Sequence, residues 1–195
     1  MSNDAMKISI EELLRIPAEA LKDELSQSLE DIRSYGIGRV LQEYPDFLAR
    51  LLNKLKQMGA AGLFSRVPAV ADQLTDLLWE GVSSRASQAQ DMKSTLAKAD
   101  RDLHVNIEAS DSPFKSHFIV EKGKIRGGSG LLHFKDEDFR FMGPTEVLIE
   151  LLLGDLPLGF SNLRLQTAGH SGWVSRVSPV MREIAKLLKG TALAA

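Results

Sequence analysis

The chain has 195 residues, 44% of them hydrophobic, which suits one substantial core or a domain with a helical annex. Its formal net charge is -2 and its pI about 6.1, so no global field recruits nucleic acid or an anionic membrane. The lack of cysteine excludes a disulfide scaffold, a thiolate metal site and a cysteine nucleophile.

Residues 7–99 carry helical periodicity and predict an all-α N-terminal domain. Ser9 and Glu12 in "SIEE" have capping-box spacing, in which two reciprocal bonds satisfy amides at a helix start. Pro17 is placed to open a helix striped by Leu21, Leu25, Leu29 and Ile32, with Gly36 to stop it and "YGIG" as linker. Pro45 opens another, with Phe47, Leu48, Leu51, Leu52, Leu55 and Met58 on one face and Gly59 as terminator. Its opposite face is basic, with Arg50, Lys54 and Lys56; such a face can rest on an anionic membrane, but more commonly the Leu face packs into a bundle. Pro68 opens a long helix through Val70, Leu74, Leu77, Leu78 and Trp79. The polar, Ser/Gln-rich run after it places a domain boundary near residues 83–100.

Beyond Arg101 the period changes from 3.6 to 2, and residues 100–190 predict a second domain. Strands are expected at "LHVNIE", "HFIVEKGKI", "GLLHF", "FRFM" and "LRLQ", with turns at "SDSP", "EKGK", "GGSG" and "KDED". Between the fourth and fifth strands Pro144 and Thr145 begin a helix that Gly154 ends. A last helix is expected from Ser178 (cap) and Pro179, through Val180, Met181, Ile184, Leu187 and Leu188, to Gly190. The fold class is therefore α+β: a five-stranded antiparallel-rich sheet covered by helices and preceded by an all-α region.

Candidate chemistry is sparse. His104, His117, His133 and His170 show neither an i, i+4 pair nor a carboxylate at ligand spacing, so no metal site is expected. A triad of a serine with His170 and Asp155 lacks a G-x-S-x-G elbow, and no enzyme activity is expected. "GKIRGGSG" has glycines between strand-like segments rather than at a helix start, which favours a hairpin over a phosphate loop. Asp136, Glu137 and Asp138 lack calcium-loop spacing and read as a solvated turn. No run reaches the roughly 18–20 apolar residues needed to span a bilayer, and neither a signal-peptide core nor a C-terminal address is evident, so a cytoplasmic protein is expected.

The segment "TEVLIELLLGDLPLGF", residues 145–160, stands out. Between Val147 and Leu153 only Glu150 is polar, whereas a half-buried helix shows polar residues over about half its circumference. Three accounts fit: a fully buried core helix, a partner interface, or one wall of an apolar cavity.

From "GLLHF" to "AKLLKG" the chain resembles the sterol carrier protein (non-specific lipid-transfer) family. The resemblance lies in the order of a strand, an acidic residue opening a short helix, a Leu-rich helix ending in Gly, an apolar strand and a closing amphipathic helix. Glu146, "LLLGDLP", "NLRLQTAG" and "VSPVMREIAKLL" fill those places. It implies an apolar tunnel between sheet and helices for fatty acyl chains, sterols or isoprenoid-like lipids. Leu148, Leu151, Leu152, Phe160, Leu163 and Leu165 would line it, Met181 and Ile184 would sit near its mouth, and Trp173 would orient the head. The implied function is that of a lipid carrier or presenter without cofactor or metal. The partner is a lipid or other apolar small molecule, not nucleic acid. The N-terminal helices leave room for a membrane-surface contact, a homodimer or an enzyme partner. The alternative is a lipid-free interaction or scaffold protein whose apolar helix packs against a partner or second copy.

Overall fold

The structure, a computed structural model, describes Leu13 and residues 18–98, 101–156, 164–170 and 172–191, with the side chains of 18–24 left aside. In chain order the helices are α1 (Ala18–Tyr35), α2 (Ile37–Glu43), α3 (Phe47–Gln57), α4 (Ala60–Arg66), α5 (Pro68–Ala86) and α6 (Gln90–Ala97). Then follow β1 (Leu103–Ala109), β2 (Lys115–Glu121), β3 (Lys124–Ser129), β4 (Phe139–Gly143), α7 (Thr145–Leu153), β5 (Gln166–Gly169) and α8 (Gly172–Lys189). The sheet order is β3-β2-β1-β4-β5, with β1 and β4 parallel and the other neighbours antiparallel. The α+β class and the helices before the sheet are as expected; the strand order was not derivable from pattern.

Period-2 alternation sorts the sheet into two faces. The register puts Val105, Phe118, Gly127 and Phe139 in one row, and Ile107, Ser116, Ser129 and Phe141 in the next row of the same face. Helix α5 lies across β3 and β2 on that face, while α7 lies against β4 and β1. The apolar residues of α1–α6 and those of the sheet and α7–α8 join one hydrophobic core.

Trp79 of α5 explains the glycines of β3. Its indole is 1% exposed, its Nε1 donates to Ser116 Oγ at 2.7 Å, and its ring lies 5.2 Å from that of Phe118. A Cβ on Gly127 would stand 2.6 Å from the indole and 2.5 Å from the His117 carbonyl oxygen. "GGSG" is therefore not the expected turn: Gly127, Gly128 and Ser129 belong to β3, and their lack of bulk admits a tryptophan. "HFIVEKGKI" is correspondingly two strands folded at Lys122 and Gly123, both at positive φ.

Other expectations are corrected. "YGIG" is no linker: Gly36 (φ 102) ends α1, and α2 restarts at once because Ile37, Val40 and Leu41 bury an apolar face. Helix α4, which no periodicity announced, buries Ala60, Leu63 and Phe64. Residues 83–98 are helical to Ala86 and again in α6, where Met92 and Leu96 are buried. The closing helix begins at Gly172, leaving Pro179 inside it. Proline there forfeits one backbone bond; burial of Val177 and packing of Trp173 and Val174 on the core offset that loss. The capping box at Ser9 and Glu12 and the opening at Pro17 lie outside the described residues.

Arg85 fastens the two ends of the chain. Only 4% exposed, its Nη1 donates to the carbonyls of Pro45 and Leu187 at 2.6 Å each, and its Nη2 donates to Leu41 at 2.7 Å. Burial lowers its pKa, with Asp46 acting in the opposite direction. Truncation would strip a donor from three carbonyls, of which Leu187's keeps the Gly190 amide at 3.2 Å.

Two stability predictions follow from these contacts. Urea unfolding of Gly127→Ala should show a loss of about 1–3 kcal/mol from overpacking, whereas Gly128→Ala, whose Cβ would meet nothing closer than 3.4 Å, should be nearly neutral. Arg85→Ala should lower stability by about 3 kcal/mol in the same assay, and Arg85→Lys should recover only part, since an ammonium lacks the planar fork.

Candidate functional site

Helix α7 is held at both ends and on its sides. Asp111 in the "SDSP" turn accepts from the Thr145 amide (2.8 Å) and hydroxyl (2.7 Å), and Ser112 bonds the same hydroxyl. A carboxylate at a helix N-terminus meets free amides and the positive end of the dipole. At the other end Gly154 adopts a left-handed conformation, and its amide donates to Leu151. Val147, Leu148, Ile149, Leu151, Leu152 and Leu153 are each at most 1% exposed. They are covered by α3, α4 and α8 as well as by β1 and β4. Glu150, the polar interruption, pairs with Lys56 of α3 at 2.8 Å. The Leu face of that basic helix is buried in the bundle.

A groove of about 540 Å3 opens where the end of α7 meets α8. Leu151, Leu153, Leu156, Met181 and Ala185 supply its apolar lining, and Arg182, Lys186 and Lys189 stand at its edge. The lysines are compensated: Lys186 lies 2.9 Å from Glu183 and 3.6 Å from Asp91, and Lys189 lies 2.8 Å from Asp155. The Glu183 carboxylate holds the Lys186 pKa above its usual value.

Of the residues expected to line a ligand site, Leu151 and Met181 border this groove while being only 1% and 2% exposed. Leu148, Leu152 and Ile184 are packed in the core, and Leu165 is half-buried against it. Trp173 is half-buried on another side of α8, in a separate cleft. Phe160 and Leu163 lie outside the described residues. Sequence reading missed Leu153, Leu156, Ala185 and the basic edge. "MREIAKLLK" carried the signal for that edge, since Arg182, Lys186 and Lys189 recur at helical spacing beside Met181 and Ala185.

The histidines are placed by local bonds. His104 Nδ1 lies 3.2 Å from Asp138 Oδ2, and His117 Nδ1 lies 3.1 Å from the Gly130 carbonyl. His170 Nδ1 accepts from the Gly172 amide at 3.2 Å, whereas Asp155, its imagined triad partner, pairs with Lys189. His133 is not in a strand. "GLLHF" forms no ladder, because Asn106, 0% exposed in β1, satisfies the Leu132 backbone with its side chain. Its Oδ1 accepts from the Leu132 amide at 2.8 Å and its Nδ2 donates to the Leu132 carbonyl at 3.2 Å and to Glu137. Glu137 also binds Arg140, which reaches Glu108, so the acidic turn is anchored to the sheet. The Glu137 bond raises the Arg140 pKa. "LRLQ" enters the sheet only from Gln166 onward.

No protein-family model matches the sequence, and no curated protein does either. Among solved structures the chain is similar to sterol carrier protein 2 from Yarrowia lipolytica in its apo form. The two are 17% identical, the match covers 65% of this chain and 98% of that one, and the TM-score is 0.42.

Asn106→Ala should lower stability by about 1–3 kcal/mol, because both backbone groups of Leu132 lose their partner. Hydrogen exchange should show faster exchange at the Leu132 amide than at amides within β2.

Proposed function

We propose that this protein binds a lipid or similar apolar amphiphile in the groove between α7 and α8, as a non-enzymatic, cytoplasmic carrier or presenter. The observation supporting this reading is the groove itself: a concave apolar lining of about 540 Å3 with cations at its edge. Ligand clefts fall at roughly 300–1,000 Å3 and combine apolar walls with a few polar groups. Ten methylenes buried there contribute about 8 kcal/mol at about 0.8 each, leaving a useful margin after association costs. Arg182 would hold the head group of an amphiphile whose chain lies on Leu156, above the buried Leu151 and Met181. No helix among the described residues is long and apolar enough to cross a membrane, so an amphiphile would be held in protein rather than by a span.

The lipid-free scaffold reading needs the apolar helix to seek cover from a partner. Its own chain covers it on several sides, and its large apolar residues are at most 1% exposed.

Native mass spectrometry with organic extraction tests the proposal, together with titration by a fluorescent fatty acid. The expected result is a stoichiometric acyl, sterol or isoprenoid-like mass, and binding weakened at least tenfold by Leu156→Glu in a protein of unchanged circular dichroism. A bare protein mass with no uptake of the probe would sink it, and a lipid-free dimer in light scattering would point to the scaffold.

A further inference from the structure

The polar groups of the groove between α7 and α8 are not equivalent. Ser178, Arg182, Lys186, Lys189 and Thr191 supply its polar side chains, all on α8 except Thr191, which follows it. Four of them are engaged by the chain itself. Ser178 Oγ donates to the Val174 carbonyl at 2.6 Å, and Thr191 Oγ1 donates to that of Lys186 at 3.3 Å. Lys186 donates to Glu183 at 2.9 Å, with Asp91 3.6 Å away, and Lys189 donates to Asp155 at 2.8 Å. Arg182 is exposed and has neither a hydrogen bond nor an ion pair among the described residues. Helical spacing sets it one turn from Ser178 and one turn from Lys186, in the row beside Met181 and Ala185.

A guanidinium offers N–H donors and no acceptor, in a planar fork that matches the two oxygens of a carboxylate. A hydroxyl head brings no charge, and its own hydrogen finds no acceptor on Arg182. A phosphate monoester carries roughly -1.5 to -2 charge. Its second charge would face Asp155, Glu183 and Asp91, the carboxylates that already neutralise the lysines. One unengaged cation beside an apolar wall is thus complementary to one negative charge on an apolar chain.

We propose that Arg182 makes the groove selective for amphiphiles bearing a single carboxylate, held by its guanidinium with the alkyl chain on Leu156, over neutral and phosphorylated ones. This rests on the reading of the groove as a lipid site and narrows it, since an apolar lining alone would take alcohols, sterols and acids alike.

Decanoate, decan-1-ol and decyl phosphate share one chain and differ in the head. Each is titrated into the full chain by calorimetry near neutral pH, below its micellar concentration. Decanoate is expected to bind about tenfold or more tighter than the other two, as a charge-assisted bidentate pair implies. Arg182→Gln should bring decanoate down to the affinity of decan-1-ol, and Arg182→Lys, a point charge without the fork, should keep only part of the preference. Because the position is exposed, circular dichroism of both variants should match the parent. Equal affinity for acid and alcohol, tighter binding of the phosphate, or a preference that survives Arg182→Gln each overturns the inference while leaving a lipid groove in place. Binding of none of the three removes the groove as a lipid site and the inference with it.

Discussion

The placement of α8 depends on Arg85. A guanidinium withdrawn from water is costly unless its donors are met; here Nη1 and Nη2 meet the end of α2, the approach to α3 and the last turn of α8 at once, while Nε is buried without a partner among the described residues. Leu187 and Pro45 are far apart in sequence, and the same Nη1 binds both carbonyls. The carbonyl end of a helix also attracts positive charge, so the arginine both bonds and electrostatically complements α8. The candidate ligand groove has α8 as a wall. Its shape is therefore tied to a contact that it does not contain.

Burial of α7 follows from the same arrangement. A sheet can cover one side of a helix, and a helix apolar over most of its circumference needs cover on the rest. The N-terminal helices supply it: α3 and α4 lie on α7, and Lys56 neutralises the one carboxylate among its leucines. At 25% exposure for the Glu150 side chain this pair retains water, and its value lies in letting Glu150 face α3 rather than in large stabilisation. The helical annex is thus part of the packing around α7 and the sheet. Where α7 ends, at Gly154, the cover gives way to the groove.

Much of this was legible where period and burial coincide. "LHVNIE" and "FRFM" alternate because one face of β1 and β4 meets the core, and α7 announced itself by Pro144 and Gly154. What escaped was structure set by single long-range contacts. "GGSG" looked like a turn because glycine usually serves turns; it is strand because Trp79, distant in sequence, lies against Gly127. "GLLHF" looked like strand because Leu, His and Phe tolerate one, but Asn106 claims the Leu132 backbone from the side. The short helices α2 and α4 are too brief to display periodicity. Of the expected ligand residues, Leu151 and Met181 fall in a groove, because apolar type finds the neighbourhood of a cavity. It does not separate Leu151, which borders the groove, from Leu152, which does not, although both are 1% exposed.

Helix α8 shows how one amphipathic element can serve three surfaces. Residues such as Val177, Ile184 and Leu188 are buried in the core. Met181, Arg182 and Ala185 turn toward the end of α7, and Trp173, Arg176 and Val180 turn toward β1 and α6. Continuation of the helix back to Gly172, through Pro179, is what creates the third surface. Had the helix begun at Ser178, as proline and serine preferences suggest, Trp173 and Arg176 would not share a helical face with Val180. The backbone bond forfeited at Pro179 thus sets an aromatic ring and Arg176 at one end of the sheet.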